Sequence, residues 1–365
     1  MKKIRITGAL LVILLWAGLT LGAWFHSPQD FSMAERRKLE QFPKLTVKTL
    51  WDGKFMGKFE DYTLDQFPLR DGFRQLKAGF TYGILRQGDN NGIYLAQGHG
   101  AKLEYPLNPQ SLQKAVDKFD HIYLKYLKDT GSHVVFSVVP DKSYFLAAQN
   151  GYPAMNYGEL FSTMENGLPW ATYVDLTECL SIDDYYRTDT HWRQEEILGA
   201  AEKLAHGLGV SGPNPADFRK TALERPFYGV YYGQAALPME PETMYILESD
   251  VLDGCTVNNL ENNKTPPVYD RSKENSKDQY DVFLGGPVSI QVIENPQGPD
   301  RELLVFRDSF GSSMVPLLIQ DYSRVTLIDT RYVPADYLDR FIDFHGQDVL
   351  MLYSPMVLNQ SSMLK

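Results

Sequence analysis

The chain of 365 residues carries 36 Lys and Arg against 46 Asp and Glu, a formal net charge of -10 at pH 7. Apolar residues make up 43% of it, enough for a sizeable buried core, so the composition predicts a globular protein. Clustered Lys and Arg, which phosphate recognition needs, are not found, and this excludes a typical nucleic-acid binder. A neutral or sugar-like ligand fits the charge better.

The N-terminus predicts passage through a membrane. Three basic residues among the first five precede an uncharged apolar run at residues 6–25, close to the roughly 20 residues that a helix needs to cross a bilayer. The basic flank should stay in the cytoplasm, which places the rest outside. A cleaved signal peptide, giving a secreted protein, is the alternative. The bulky Trp24 and Phe25, without a preceding Ala-x-Ala site, favour an uncleaved anchor.

Three regions follow from the pattern of apolar residues. Residues 1–30 form the signal anchor or signal peptide, residues 31–90 an N-terminal helical extension, and residues 91–365 an α/β catalytic domain. In the extension we expect a charged helical patch at residues 35–38 and two short amphipathic helices broken at Pro68. Between these helices, a turn at residues 65–71 would be held by an Arg–carboxylate pair.

From residue 91 onward, strands and helices alternate, which predicts a mostly parallel sheet flanked by helices. The predicted strands are 92–95, 133–139, 172–176, 302–306, 324–328 and 348–353. The predicted helices are 109–130, 194–208, 310–320 and 334–344. Residues 210–299 interrupt the alternation and are rich in Asn, Pro, Tyr and Gly. We interpret them as an insertion of β-hairpins and long loops over the sheet, a candidate substrate lid.

Asp189 and His191 form the first candidate site. An Asp that accepts the Nδ1 proton of a nearby His fixes its tautomer and leaves Nε2 free as a general base. A surface turn in which Asp189 caps the next helix is the alternative. Metal binding would need further ligands, which the sequence does not supply, and we expect neither a metal nor a cofactor.

Ser309 is the candidate nucleophile. It follows the predicted strand at residues 302–306 and opens a helix, which is where open α/β sheets bind their ligands. Backbone N–H groups at a helix start can stabilise an oxyanion. Asp308 and Ser309 are also ordinary capping residues, so a structural role is the alternative. Since Asp189 and His191 end another loop of the same pattern, a cleft shared with Ser309 is geometrically reasonable.

Two of these segments carry a family resemblance. Residues 185–192 resemble the signature of the DHHW proteins, and residues 305–313 resemble their serine block. The likeness extends to the N-terminal anchor, to residues 31–71, 91–95 and 139–142, and so to nearly all of the chain outside the anchor. The DHHW proteins are relatives of the alginate O-acetylation proteins within the SGNH hydrolase-like group. The resemblance therefore implies an SGNH hydrolase-like α/β fold.

The resemblance also implies roles for residues. Ser309 would be the nucleophile, His191 the base and Asp189 its orienting acid, while Thr190 stands where the family name has a second His. The implied activity is acetyl transfer to hydroxyls of a cell-envelope or extracellular polysaccharide through an acyl-serine. A membrane-bound acyltransferase would supply the acetyl groups as a partner.

Further residues have weaker assignments. Gly286 resembles part of the family's Gly-Gly turn, so its N–H would complete an oxyanion hole, unless it only makes a tight turn. Arg187 and Trp192 would position the catalytic loop or stack on a sugar, with packing as the alternative. The candidate sugar platforms are Tyr231, Tyr232 and Tyr353. The two cysteines, Cys179 and Cys255, could pair in an exported protein.

Two other functions remain open. A carbohydrate acetylesterase would use the same three residues with water as the acceptor. It differs from a transferase only in whether the acceptor pocket excludes water. A non-catalytic polysaccharide-binding or assembly protein of the same fold would not need Asp189, His191 and Ser309 together. A metal-dependent hydrolase is a third possibility.

Overall fold

Residues 2–365 are described by a computed structural model and divide into two units. The N-terminal unit contains the chain up to Asn91 together with Tyr232–Pro238, and the sheet unit contains Gly92–Tyr231 and Met239–Lys365.

The N-terminal unit begins with the long apolar helix that the sequence predicts. Its segment Ile6–Ala23 has the length and composition to cross a membrane. Membrane anchors and signal sequences both have these properties, so they do not distinguish the two. The expected break at Pro68 is confirmed, because one helix ends at Asp65 and the next begins at Arg70. The helices are α1 (Lys2–Phe25), α2 (Val47–Trp51), α3 (Lys54–Asp65) and α4 (Arg70–Gly79), and the strands are β1 (Phe31–Ser32) and β2 (Arg37–Lys38).

The predicted helical patch at residues 35–38 is wrong, because this segment forms the turn and second strand of the β1–β2 pair. Its charged side chains are engaged in ion pairs instead. Arg37 Nη2 lies 2.5 Å from Asp65 Oδ1, and Arg70 Nη1 lies 2.5 Å from Glu35 Oε2. Arg70 Nη2 also lies 3.4 Å from Asp65 Oδ1, so the Arg–carboxylate pair expected at this turn is confirmed.

The sheet unit is built on seven strands in the order β6-β5-β13-β11-β12-β10-β9. The first five run parallel, and β10 and β9 are added antiparallel at one side. The expected mostly parallel sheet is therefore confirmed. The strands of this unit are β3 (Ile93–Ala96), β4 (His99–Lys102), β5 (Val134–Val138), β6 (Thr172–Tyr173), β7 (Arg219–Phe227), β8 (Glu242–Glu248), β9 (Thr256–Asn259), β10 (Ile290–Glu294), β11 (Glu302–Arg307), β12 (Arg324–Ile328) and β13 (Asp348–Tyr353).

Helices cover both faces of the sheet. Successive residues of a strand point to opposite faces, and in β11 Val305 packs in one core with Leu204 of the eighth helix while Phe306 packs in the other with Phe119 of the fifth. Both faces are thus dry, which explains the nearly continuous apolar strands. The helices, continuing in chain order, are α5 (Pro109–Ile122), α6 (Lys142–Leu146), α7 (Tyr157–Gly167), α8 (Leu198–Gly207), α9 (Val230–Ala235), α10 (Asp250–Asp253), α11 (Gly311–Met314) and α12 (Pro355–Asn359).

Several predicted helices are shorter than the sequence suggests. The segment at residues 310–320 is only one α-helical turn, α11, followed by 3₁₀ turns, because Pro316 has no N–H to continue the ladder. The segment at 334–344 is a 3₁₀ helix, Ala335–Arg340. The helix expected at 109–130 ends at Ile122 and continues as a π turn, the one expected at 194–208 starts as a 3₁₀ turn, and the strand expected at 172–176 ends at Tyr173.

The region at residues 210–299 contains the expected hairpin, formed by β7 and β8. It also supplies β9 and β10, which belong to the main sheet rather than to a separate layer of loops. Long irregular segments join these strands, so the inserted β and loop region is present. The carboxyl ends of β5, β13, β11 and β12 meet at one edge of the sheet, since these strands are parallel.

Candidate active site

Ser309 lies just beyond the carboxyl end of β11, at the edge where the parallel strands end. The side chain of Asp308, not that of Ser309, binds backbone N–H groups here. Its Oδ1 accepts the N–H of Phe310 at 3.0 Å and its Oδ2 accepts the N–H of Ser354 at 2.8 Å, which joins the ends of β11 and β13. The hydroxyl of Ser309 is therefore left for another partner.

That partner is the imidazole of His191. The Oγ of Ser309 lies 2.8 Å from Nε2 of His191, and Nδ1 of His191 lies 2.6 Å from Oδ1 of Asp189. An ionised Asp189 can only accept, so Nδ1 carries the ring proton and Nε2 is the acceptor of the serine hydroxyl. The three side chains that the sequence singled out are thus in one hydrogen-bonded line.

The carboxylate of Asp189 is fixed from several directions. It is fully buried, its Oδ1 also accepts the N–H of His191 at 3.1 Å, and its Oδ2 accepts the N–H of Val230 at 2.7 Å. The loop closes on itself because the N–H of Tyr186 donates to the carbonyl of His191 at 3.1 Å. These bonds, rather than a helix cap, occupy Asp189.

Tyr280 is a site residue that the sequence did not single out. Its ring stacks on the imidazole of His191, with centroids 3.9 Å apart and planes 8° apart. Its hydroxyl lies 2.7 Å from Oγ of Ser313. Burial raises its pKa well above the usual value, so the ring stays neutral. Tyr280 comes from a polar segment 89 residues along the chain from His191, and no local signal in the sequence marks it.

Trp192 packs and does not face a ligand. Its side chain is completely buried, and its Nε1 donates to Ser313 Oγ at 2.9 Å and to the carbonyl of Phe310 at 3.2 Å. Of the two roles considered for it, sugar stacking is wrong because no face of the ring reaches solvent. Trp192 instead ties the His191 loop to the segment that follows Ser309.

Gly229 lets a second segment pack against the Asp189 loop. A Cβ at this position would overlap the Cβ of Asp189 and the carbonyl oxygen of Thr188. The N–H of Gly229 donates to Oγ1 of Thr188 at 2.9 Å, and the N–H of Tyr231 donates to the carbonyl of Thr188 at 3.0 Å. Residues 229–231 therefore support the loop from outside.

The weaker assignments for Gly286 and Arg187 have different outcomes. The N–H of Gly286 donates to the carbonyl of Phe283 at 3.3 Å, with φ of 95° at Gly286, which favours the tight-turn alternative over an oxyanion donor. Arg187 is exposed beside the site, and its substrate-positioning role stays a prediction.

The three candidate sugar platforms also lie in different surroundings. Tyr353 is fully buried in the core of the sheet unit, so a role as a sugar platform is wrong. Tyr231 is largely buried, with its ring centroid 5.4 Å from Nζ of Lys142. Tyr232 belongs to the segment Tyr232–Pro238 of the N-terminal unit, and its role stays a prediction.

Cys179 and Cys255 are both free thiols, so the disulfide considered for an exported protein is not formed. Burial raises the pKa of Cys255 to about 11, which keeps this thiol protonated and unreactive at neutral pH. Within residues 2–365, no cluster of three or more His, Cys, Asp or Glu side chains is arranged to hold a metal ion.

Part of the chain matches a known protein family. Residues 160–328 match the family described as DHHW protein, and this range contains Asp189, His191 and Ser309. No curated protein matches the chain at a significant level.

Solved structures share the fold. A DHHW family protein from Eubacterium siraeum is 19% identical and superposes with a TM-score of 0.60, over 75% of this chain and 94% of that one. PatB1 of Bacillus cereus with a sulfonyl adduct is 17% identical, with a TM-score of 0.59 over 73% and 95% of the two chains. Another structure of PatB1 gives 18% identity and a TM-score of 0.58, over 73% and 96%. Residues 160–328 of the chain are therefore similar to the DHHW proteins, and the chain shares the mostly parallel α/β fold of these solved structures.

Proposed function

We propose that this protein is an exported serine O-acyltransferase, which moves an acetyl group to hydroxyls of a cell-envelope or extracellular polysaccharide. The observation that carries the proposal is the line from Asp189 through His191 to Ser309, with contacts of 2.6 and 2.8 Å. This is the arrangement that converts a serine hydroxyl into a nucleophile. A protein that only binds polysaccharide gains nothing from it.

The reaction runs through an acyl-serine. Oγ of Ser309 attacks the acyl carbonyl of the donor while its proton passes to Nε2 of His191, and the imidazolium is stabilised by Asp189. His191 then gives this proton to the leaving group. In the second half, His191 takes the proton of an acceptor hydroxyl, whose oxygen attacks the acyl group. The bond between the acyl carbon and Oγ of Ser309 then breaks, and His191 returns the proton to Oγ.

The tetrahedral intermediates need a hydrogen-bond donor for their oxyanion. Among residues 2–365, no acceptor is in hydrogen-bonding contact with the backbone N–H of Ser309, whereas the N–H of Gly286 has one. We therefore assign the Ser309 N–H as an oxyanion donor in place of Gly286. Because this N–H belongs to the nucleophile, it lies next to the carbonyl that Ser309 attacks.

The comparisons give a second line of support. The PatB1 structure carries a sulfonyl adduct, and sulfonyl electrophiles add covalently to activated nucleophiles. The likeness at 17% identity concerns the fold, so for this chain the reactivity rests on its own Ser309 geometry.

The route of the acetyl group follows from the N-terminal helix. A chain held at the outer surface by α1 has no acetyl donor of the cytoplasm within reach. We propose that a membrane-bound acyltransferase passes acetyl groups across the bilayer to Ser309, and that the polysaccharide is the acceptor. An acetylesterase would use the same acyl-serine with water.

An acetyl-ester chromogen, with and without a polysaccharide acceptor, tests the proposal. Release of chromophore and acetylation of the polysaccharide should both require Ser309 and be lost in Ser309→Ala. Ser162→Ala is the matched control, since Ser162 is exposed on α7 and bonds only within its helix. Hydrolysis without transfer would identify an esterase. Unchanged turnover in Ser309→Ala, with no labelling of Ser309 by a sulfonyl fluoride, would overturn the enzyme assignment.

A further inference from the structure

Lys142 is a buried lysine whose ammonium contacts the loop that carries Asp189 and His191. It begins α6, four residues after the last residue of β5, and is only 2% exposed. Its Nζ donates to three backbone carbonyls, those of Tyr186 at 2.7 Å, Arg187 at 3.1 Å and Asp189 at 2.9 Å. An ammonium has three N–H donors, so each finds an acceptor on this one loop.

Burying the charged ammonium of Lys142 costs free energy unless other groups compensate the charge. Lysine is almost never fully buried unless its charge is paired. Within residues 2–365, no carboxylate oxygen forms a salt bridge with Lys142 at 4.0 Å or less. Asp189 and Glu242 attract the charge from farther away, and the three carbonyl dipoles take the place of a counterion. The lysine is therefore arranged around the loop carbonyls.

The loop needs such a support because residues 186–190 form neither helix nor strand. Its carbonyls cannot bond within a regular ladder, and buried carbonyls without partners cost free energy. Binding the carbonyl of Asp189 fixes the backbone from which the Asp189 carboxylate reaches Nδ1 of His191. The support comes from the end of β5, which lies at the same sheet edge as the end of β11 and Ser309.

We propose that Lys142 is a positioning residue, whose ammonium holds the loop carbonyls so that His191 meets Ser309. The inference deepens the proposed function and rests on it, because the reaction that Lys142 serves is the acyl transfer at Ser309. Lys142 itself contacts none of the reacting atoms.

The charge state of Lys142 gives this role a pH dependence. Burial lowers its pKa to about 7, against the raising effect of Asp189 and Glu242. Burial and the nearby charge of Lys142 lower the pKa of His99. The neutral ring of Tyr231 lies beside the ammonium of Lys142. A neutral amine has two N–H donors for three carbonyls, so the hold on the loop weakens as the pH rises through about 7.

The test measures how fast phenylmethylsulfonyl fluoride modifies Ser309, which needs neither acyl donor nor polysaccharide. Lys142→Met keeps an unbranched side chain, one atom shorter, and removes all three donors. We expect modification to slow by about 10- to 100-fold, since small misplacements of a catalytic group cost rates of this order. Lys142→Gln keeps two N–H donors, so its rate of Ser309 modification should lie between the rates of the wild type and of Lys142→Met.

Lys118→Met is the matched control. Lys118 Nζ also donates to backbone carbonyls, those of Ser361 at 3.2 Å and Leu364, but it holds the C-terminal segment rather than the Asp189 loop. The rate of Ser309 modification should stay at the wild-type value. Wild-type rates in Lys142→Met would overturn the positioning role, whereas an unreactive Ser309 in the wild type would overturn the proposed function instead.

A spectroscopic measurement keeps the two failures apart. The Nδ1 proton between Asp189 and His191 should give a low-field ¹H resonance, which is absent in His191→Ala. We expect this resonance to shift or broaden in Lys142→Met, even if Ser309 proves unreactive. In the wild-type protein this resonance should also broaden as the pH rises through about 7. This measurement does not depend on whether a variant folds. A resonance unchanged by pH and by Lys142→Met would contradict the proposal.

Discussion

At the scale of single residues, the imidazole of His191 is held by a different group on each side. Asp189 Oδ1 contacts Nδ1 at 2.6 Å, Ser309 Oγ contacts Nε2 at 2.8 Å, and the ring of Tyr280 covers one face at 3.9 Å. The ring therefore has one tautomer and one orientation, the preorganisation that a general base needs.

His191→Ala should remove the reactivity of Ser309 and leave the fold intact. The loss should be about 10⁴-fold or more, because the members of such a triad act as a unit. The rate of sulfonyl fluoride labelling measures it, and circular dichroism checks the fold. His206→Ala is the control, since His206 is exposed at the end of α8. Labelling of Ser309 at the wild-type rate in His191→Ala would contradict the assignment.

Asp189→Asn separates orientation from packing. The amide keeps an oxygen for the N–H of Val230, but its NH₂ cannot accept the Nδ1 proton of His191, so the ring adopts the other tautomer with Nε2 as a donor. We expect Ser309 reactivity to fall by about 10⁴-fold, the order found for this change in other triads. The melting temperature should change little. Asp217→Asn, at an exposed aspartate, controls for charge, and a reactive Asp189→Asn protein would refute the triad role.

Reasoning from the sequence reached Asp189, His191 and Ser309 because each stands in a short segment of distinctive composition at the end of a predicted strand. It did not reach Tyr280 or the role of Lys142. Tyr280 lies 89 residues from His191 and Lys142 lies 44 residues from Tyr186, and such contacts depend on how distant segments pack. The family match and the fold likeness were both foreseen, whereas sugar stacking by Trp192 was not compatible with its burial.

At the scale of elements, the strands of the main sheet were the most predictable. The expected strand at 324–328 has its exact bounds in β12, and the one at 348–353 has its exact bounds in β13. Both are apolar runs with a fixed place in the sheet. The helices were less predictable because apolar residues at helical spacing also fit 3₁₀ turns, as in Ala335–Arg340. The antiparallel strands β9 and β10 carried no signal that they join the main sheet.

The contact between residues 229–231 and the Asp189 loop gives a prediction at this scale. Gly229→Ala would place a Cβ into the backbone of Thr188 and the side chain of Asp189, so the two segments must separate. We expect the melting temperature to fall and the sulfonyl fluoride labelling of Ser309 to slow, because Val230 N–H would leave the Asp189 carboxylate.

Gly199→Ala is its control. Gly199 lies in α8 with nothing within 4 Å of a Cβ, so alanine should stabilise the helix by roughly 0.5–1 kcal/mol. Thermal unfolding of both variants measures the difference. Equal melting temperatures and equal labelling rates in the two variants would show that the contact at Gly229 does not support the site.

At the scale of the whole molecule, the N-terminal helix α1 differs from the sheet unit in burial. The segment Ile6–Ala23 has none of its residues buried, so the fold gains no core from it. The sheet unit has its own core on each face of the sheet and contains Asp189, His191 and Ser309. The net charge of -10 makes electrostatic attraction to phosphate groups weak and favours solubility of the protein.

Removal of residues 1–26 should therefore change the location of the protein and not its chemistry. The truncated chain should be water-soluble, melt at the temperature of the full chain in detergent, and keep the labelling rate of Ser309, because the deleted helix shields no apolar core. The full chain should sediment with membranes and keep its own N-terminus, as an uncleaved anchor requires. Mass spectrometry of the N-terminus after expression of the full chain distinguishes an anchor from a signal peptide. A mature chain that begins near Ser27 and is found in the medium would show that α1 is a signal peptide, with Ser309 acting in a secreted enzyme.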